Sequence, residues 1–291
     1  MKHFYIIVNE DKEDTKAMGA RITRYLEDHG CTFRTSKGVF SKGKRFTSVS
    51  DVPEDTECVI TLGGDGTFIQ AARDLAGTGL PIVGINLGDL GYLTQMGKGG
   101  NLEELLDALL SDRYEIQERM MLTGRIYHKG RPEASHIALN DIVLAREGDM
   151  RVLKFKIYVN GQFLYEYSAD GVIVSTPLGS SAYALSAHGP LVHPKVQALT
   201  LTPISPFFKS FPPIVLPADS RIRLETDAAA PDAFLTVDGQ EGIPLCGGDV
   251  IRVQSLDAGL RVLSCSSGTY FQRLRERGFI QTDGTSAPEH V

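Results

Sequence analysis

Along the first 115 residues, short apolar runs alternate with stretches whose apolar positions recur every three or four residues, the mark of successive βα units and a parallel sheet. FYIIV (4–8) reads as a buried strand. From Thr15 to His29, Met18, Ile22, Tyr25 and Leu26 fall at helical spacing, and Gly30 supplies the glycine that commonly follows a helix C-terminus. CVITL (58–62) is a strand, GGDGT (63–67) a tight turn and FIQAARDLA (68–76) a helix. PIVGI (81–85) is a further strand, and NLEELLDALLS (101–111) a helix capped by Asn101, with Glu103 and Glu104 in its first turn.

From about Tyr114 the helical period fades and short alternating runs take over: MLTGRIYH, ALNDIVLA, VLKFKIYVNGQFLYEYSA, GVIVST, IVLP, RIRLET, AFLTVDGQ, DVIRVQS and LRVLSC. The Asn160-Gly161 pair predicts a tight hairpin. The tail YFQRLRERGF returns to helical spacing. The pattern predicts an α/β domain with a Rossmann-like parallel sheet over 1–115 and an all-β, sandwich-like domain over 116–266. A C-terminal helix and tail (267–291) would pack back on the first domain.

Composition narrows the function. Hydrophobic residues make up 42% of the 291-residue chain and charged residues 23%, as in ordinary folded proteins. A net charge of −6 without any Lys/Arg run argues against a nucleic-acid partner. The apolar run near the N-terminus is too short for a signal peptide, and no stretch approaches the ~18 residues of a membrane span, so a cytoplasmic protein is expected. Cys31, Cys58, Cys246 and Cys265 are far apart, which predicts reduced, structural thiols rather than a metal site.

The chemistry concentrates in VITLGGDGTFIQAAR, where a strand, a glycine-rich turn and a helix follow one another. Gly63, Gly64 and Gly66 let the backbone approach a phosphate, and the N–H groups at the start of the helix, near Thr67, point at it. The segment matches neither GxxxxGK[ST] nor GxGxxG. Asp65 sets it apart, because a carboxylate inside an anion site needs a reason. It either takes a proton from an attacking hydroxyl, or helps to hold the metal that accompanies ATP, or caps the helix.

GGDGT, PIVGINLGDLGYL (81–93), ALNDIVL (138–144), DGVIVSTPLGSSAYALSAHGPLVHP (170–194), LTPISP (201–206) and VDGQ (237–240) together resemble the NAD kinases. That family shares a superfamily with the diacylglycerol and sphingosine kinases and the phosphofructokinases. The resemblance implies Mg²⁺-dependent transfer of the ATP γ-phosphate to the adenosine-ribose 2′-hydroxyl of NAD. It implies that Asp65 is the proton acceptor and that Gly66 contacts the nucleotide. Asn140 would bind the adenine, and Asp141 the ribose hydroxyls. Ser181, Ala182 and Tyr183 would surround the adenine, with Ser186 toward the nicotinamide. Asp170 would bind the nicotinamide riboside of a neighbouring subunit's ligand, in a homodimer or homotetramer. Arg151, Ser168 and Gln240 align with further dinucleotide contacts. Mg²⁺ would arrive with ATP rather than in a site built by protein alone.

The chain departs from the family pattern in places. Leu178 stands where Thr or Ser is usual, Asp141 replaces the commoner Glu, and Phe211 and Pro212 lie where an Arg usually precedes the second proline. Two rival readings are a lipid kinase of the same superfamily, which would have no use for a purine site, and a non-catalytic NAD(P) sensor, which would not need Asp65.

Overall fold

A computed structural model describes residues 1–10, 13–38, 45, 47–88, 91–96, 100–146, 148, 152–207, 212–228, 233–265 and 270–276. The N-terminal half folds around a six-stranded sheet in the order Thr32–Gly38, His3–Asn9, Cys58–Leu62, Ile82–Ile85, Leu260–Ser264, Glu115–Arg119. Alternation within one strand explains the layering. Phe4, Ile6 and Val8 face helices Glu13–Asp28 and Leu102–Leu110, while Tyr5 and Ile7 face helix Asp65–Asp74. Asn101 caps the helix after it as predicted, its side chain accepting the N–H groups of Glu103 and Glu104.

This sheet is parallel except at one edge, where Leu260–Ser264 and Glu115–Arg119 pair antiparallel. The strand Leu260–Ser264 comes from the stretch expected in the β domain. Its burial accounts for the difference: Val262 joins one face of the α/β core and Leu263 the other, as an interior strand of a covered sheet requires. A five-residue run carries no mark of which sheet it will join.

The remaining strands form two antiparallel six-stranded sheets. One runs Gln162–Ala169, Leu153–Val159, Ile222–Thr226, Val250–Ser255, Leu122–His128, Arg131–Ala138, and the other Ile214–Pro217, Ala198–Ile204, Gly171–Ser175, Asp141–Arg146, Ala233–Val237, Glu241–Leu245. Phe155, Ile157, Leu224 and Ile251 of the first meet Ile142, Leu144, Val172 and Leu235 of the second in one buried core. This is the sandwich expected. The Asn160-Gly161 hairpin is present, with φ of 52° and 82°.

A third apolar cluster joins the halves: Phe68, Ile69 and Leu93 pack with Met121, Leu139 and Leu178. Leu178 is 5% exposed in this seam and contributes to docking. The C-terminal helix Tyr270–Glu276 buries Leu274 and sets the Tyr270 ring edge-on to His193 at 4.6 Å. Among the described residues no helix is long and apolar enough to cross a membrane.

Candidate active site

The turn between Cys58–Leu62 and the next helix is shaped by what its glycines lack. A Cβ on Gly63 would lie 2.3 Å from Thr67 Oγ1, so only glycine lets the helix start directly over the strand. Gly64 is the residue before the first helical turn, and Asp65 opens the helix Asp65–Asp74. Asp65 does not cap that helix. Its half-buried carboxylate reaches across to the loop after Ile82–Ile85, where Oδ2 accepts the Tyr92 N–H at 2.8 Å and Oδ1 the Leu93 N–H at 3.2 Å. Gly91 makes room: a Cβ there would stand 2.0 Å from Asp65 Oδ1. Each oxygen keeps acceptor capacity beyond its one N–H bond.

The helix is tied to the β domain by its own side chains. Arg73, 6% exposed, donates from Nε to Ile137 O at 2.9 Å, from Nη1 to Gln240 Oε1 at 3.3 Å, and from Nη2 to the Glu241 carboxylate. Gln240 completes the link by donating to Gly66 O at 2.9 Å. The backbone of the phosphate-type turn is thereby held by the VDGQ segment. Both ends of the Gln240 side chain are engaged within the chain.

Near Gln240, Asp238 holds a left-handed backbone position, with φ of 51°, and its side chain is fully buried. Its carboxylate gathers three successive N–H groups, those of Leu139 (2.9 Å), Asn140 (2.7 Å) and Asp141 (3.1 Å). This fixes the start of strand Asp141–Arg146 and aims the Asn140 and Asp141 side chains. Neither side chain has a hydrogen-bond partner among the described residues, so an amide and a carboxylate stand ready for a ligand. On the other flank, Thr176 Oγ1 donates to Leu139 O at 2.7 Å and its N–H to Asn140 O at 2.9 Å. A Cβ on Gly179 would stand 2.0 Å from Asn140 O, so the STPLGSS loop seats against Asn140 because that residue is glycine. Ser180 locks the loop by accepting the Val192 N–H at 2.9 Å and donating to Pro177 O at 2.6 Å.

Burial pushes the Asp141 carboxyl up to about 7, with the charge of Asp238 adding to it. Burial also pushes Asp238 upward, opposed by its three N–H bonds and by Arg73, whose Nε lies 3.9 Å away. Asp238 is the better holder of the pair's negative charge, because those donors favour its ionised form. Ionising Asp141 therefore opposes folding: the cost is absent below the ordinary carboxylate range, grows as pH rises toward 7, and persists above it. The expected result is that Asp141→Asn raises Tm at pH 8 by about 2 to 8 °C, from roughly 1 to 2 kcal/mol in a domain pair of this size, and by much less at pH 5. Thermal unfolding at both values checks it; an equal change at both would assign the effect to packing.

Of the residues singled out from sequence, the structure brings Asp65, Gly66, Asn140, Asp141 and Gln240 into one assembly joined by hydrogen bonds and the 3.9 Å Arg73–Asp238 ion pair, with Ser181 and Ala182 on the loop that Gly179 docks against Asn140. Tyr183 is 47% exposed and Ser186 also faces solvent, on the short helix Tyr183–Ser186. Asp170 and Ser168 are elsewhere. Strand pairing places Gly171 opposite Ala145 and Ser175 opposite Asp141, so Asp170 sits about 17 Å along the sheet from Asp141. It pairs there with Arg146 at 2.6 Å. Ser168 is half-buried and its carbonyl accepts the Phe207 N–H at 2.8 Å. Arg151 and Phe211 lie outside the described residues. Sequence reasoning passed over Arg73, Gly91, Thr176 and Asp238. Their only signal was membership of segments already quoted, since each acts through a partner far along the chain.

A cavity of about 450 Å³ flanks the Tyr92–Leu93 loop, walled by Leu178, Lys195, Arg119 and Arg273. Burial, with the like charge of Arg273 adding to it, pushes Arg119 down, and Glu115 on the same wall opposes the shift. Among the described residues, no trio of metal-ligating side chains forms around Asp65. The donor set at the turn is one carboxylate and backbone N–H groups, and it does not by itself make a magnesium cage.

Two family models match the chain, the ATP-NAD kinase N-terminal domain over residues 4–114 and the ATP-NAD kinase C-terminal domain over 139–263. The NAD kinase of Lachnospira eligens is 39% identical over 95% of this chain and all of its own length. That of Geobacter metallireducens is 40% identical over 88% of each chain. Among solved structures, yeast NADH kinase complexed with NADH superposes with a TM-score of 0.84 at 25% identity, covering 99% of this chain and 90% of the other. An NAD kinase from Archaeoglobus fulgidus in complex with ATP shares the fold, with a TM-score of 0.71 at 23% identity over 95% and 99% of the two chains. With both halves matched and relatives this similar along almost the whole length, the chain belongs to the NAD kinase family.

Proposed function

We propose that this phosphotransferase moves the γ-phosphate of ATP to the adenosine-ribose 2′-hydroxyl of NAD, with Asp65 accepting the hydroxyl proton. The observation that carries the reading is the unbroken chain of contacts from Gly66 through Gln240 and Arg73 to Asp238 and the 139–141 backbone. It holds a phosphate-cradling turn and a purine-and-diol-reading pair in one rigid frame. The open end of the turn receives the triphosphate, the Asn140 amide offers donor and acceptor to the adenine, and Asp141 accepts from the ribose diol. A divalent cation would come with the triphosphate, and the steps assigned to protein groups are binding, orientation and proton acceptance.

Acceptor binding tests the frame. Asn140→Ala is expected to weaken NAD binding by about 1 to 3 kcal/mol, because a purine edge loses its partner, and to leave ATP binding little changed. Equal weakening of both ligands in calorimetry would assign Asn140 to the wrong nucleotide. A lipid acceptor has no counterpart for the paired amide and carboxylate.

We also assign the chain to homodimers or homotetramers in the cytoplasm, with Asp170 completing a neighbour's acceptor site. The distance of Asp170 from Asp141 along the sheet supports this. Asp65→Ala and Asp170→Ala, each nearly inactive, should on subunit exchange return roughly a quarter of wild-type activity, since a mixed dimer has one site with both defects and one with neither. Recovery near zero after verified exchange would place Asp170 in its own chain's site or in none.

A further inference from the structure

At the end of the sandwich remote from the active site, three side chains from separate parts of the sequence converge. Strand Leu122–His128 begins opposite Ala138, next to the Asn140 segment, and ends six residues later at His128, about 20 Å away. Strand Val250–Ser255 pairs Val250 with Tyr127, which sets His128 beside the turn that precedes it. That turn, Cys246-Gly247-Gly248-Asp249, closes with Asp249 N–H donating to Cys246 O at 3.1 Å. Gly248 takes a φ of 84°, and a Cβ on Gly247 would stand 2.5 Å from Ala228 O, so the glycines are required by the turn's shape. Thr226 Oγ1 lies within 3.3 Å of both the Cys246 and Asp249 carbonyls and fastens the turn to the sheet.

One ligand atom each from His128, Cys246 and Asp249 lies within 4.8 Å of the others. His128 Nδ1 is 2.6 Å from Asp249 Oδ1, while Asp249 Oδ2 accepts the Cys246 N–H at 2.9 Å. A histidine–aspartate ion pair alone would not need a thiol held against it by a glycine turn. We propose that this trio is a site for a thiophilic divalent cation of the zinc class. It would be bound by Cys246 Sγ, His128 Nδ1 and Asp249 Oδ1, with a fourth position open to water. Sulfur, imidazole and carboxylate form a donor set that zinc favours, at about 2.0 to 2.3 Å from the metal. Filling it requires the Nδ1···Oδ1 pair to open by under about 1 Å and the thiol to close by at most about 1.3 Å. Asp249 is buried and oriented by a backbone N–H, as ligands with supported outer contacts are, and exposed Cys246 provides the entry path. Binding releases the thiol proton to solvent, so affinity rises with pH. The bound cation clips the 246–249 turn to the end of Leu122–His128.

The test uses the full-length reduced protein, stripped with chelator and titrated with Co²⁺. The expected result is one equivalent bound, with a thiolate-to-cobalt charge-transfer band that Zn²⁺ displaces. Cys246→Ser should remove the band and weaken Co²⁺ binding at least tenfold. His128→Gln, which keeps the thiol, should also weaken it tenfold or more and alter the ligand-field spectrum. Zn²⁺ should raise Tm in the parent protein and not in Cys246→Ser. The absence of a saturable band, or a band that persists in Cys246→Ser and so arises from Cys31, Cys58 or Cys265, overturns the proposal.

Discussion

Asp65→Asn should lower kcat for NADP formation by roughly 10²- to 10⁴-fold, the usual size of a general-base contribution, while NAD still binds. The structure adds a second consequence. Each carboxylate oxygen of Asp65 accepts one backbone N–H, from Tyr92 and from Leu93. An amide has one oxygen, so one of those donors loses its acceptor and faces an NH₂ group. The variant should therefore also lose about 1 to 3 kcal/mol of stability. Turnover is accordingly compared at a temperature well below the variant's own Tm, with NAD affinity measured by calorimetry on the same sample. Near wild-type turnover would reduce Asp65 to a strut for the 91–93 loop.

The second large effect is expected at a residue whose hydrogen bonds, among the described residues, run to the chain's own groups. Arg73 is nearly fully buried and serves Ile137, Gln240 and Glu241 while sitting near Asp238. Arg73→Ala leaves the buried Asp238 carboxylate without its cation and Glu241 with His136 alone, and breaking such a buried pair from one side costs about 3 to 5 kcal/mol. At 2 to 4 °C per kcal/mol, Tm should fall by about 6 to 20 °C. Activity should fall with it at temperatures where the fold persists, because Gln240 loses its anchor and the Gly66 carbonyl its fixed partner. Arg73→Lys keeps the charge but not the planar fork, and should recover only part of the loss. A Tm within 2 °C of wild type for Arg73→Ala would show that the apolar seam alone holds the halves together.

The α/β half was the more legible part of the fold. Phe4 to Val8 and Cys58 to Leu62 are continuous apolar runs buried on both faces, and Gly30 and Asn101 punctuate their helices as local chemistry dictates. Thr32–Gly38 and Arg131–Ala138 escaped notice because each is a sheet-edge strand rich in polar residues. Edge strands are selected to discourage pairing rather than to advertise it. Within the candidate site, the groups proposed to meet ligand were readable because GGDGT and ALNDIVL break local rules: a carboxylate in an anion turn, and polar residues between apolar runs. Asp238 and Arg73 obey local rules and act only across long sequence separations. Cys246 likewise looked isolated, since His128 reaches it through strand pairing alone.

The most direct test of the whole account is one assay: purified protein with MgATP and, in separate reactions, NAD, NADH and diacylglycerol, following phosphate transfer to each. The account predicts NADP formation from NAD, with no phosphate reaching the lipid. Phosphorylation of diacylglycerol, or tight NAD binding with no transfer, would contradict it.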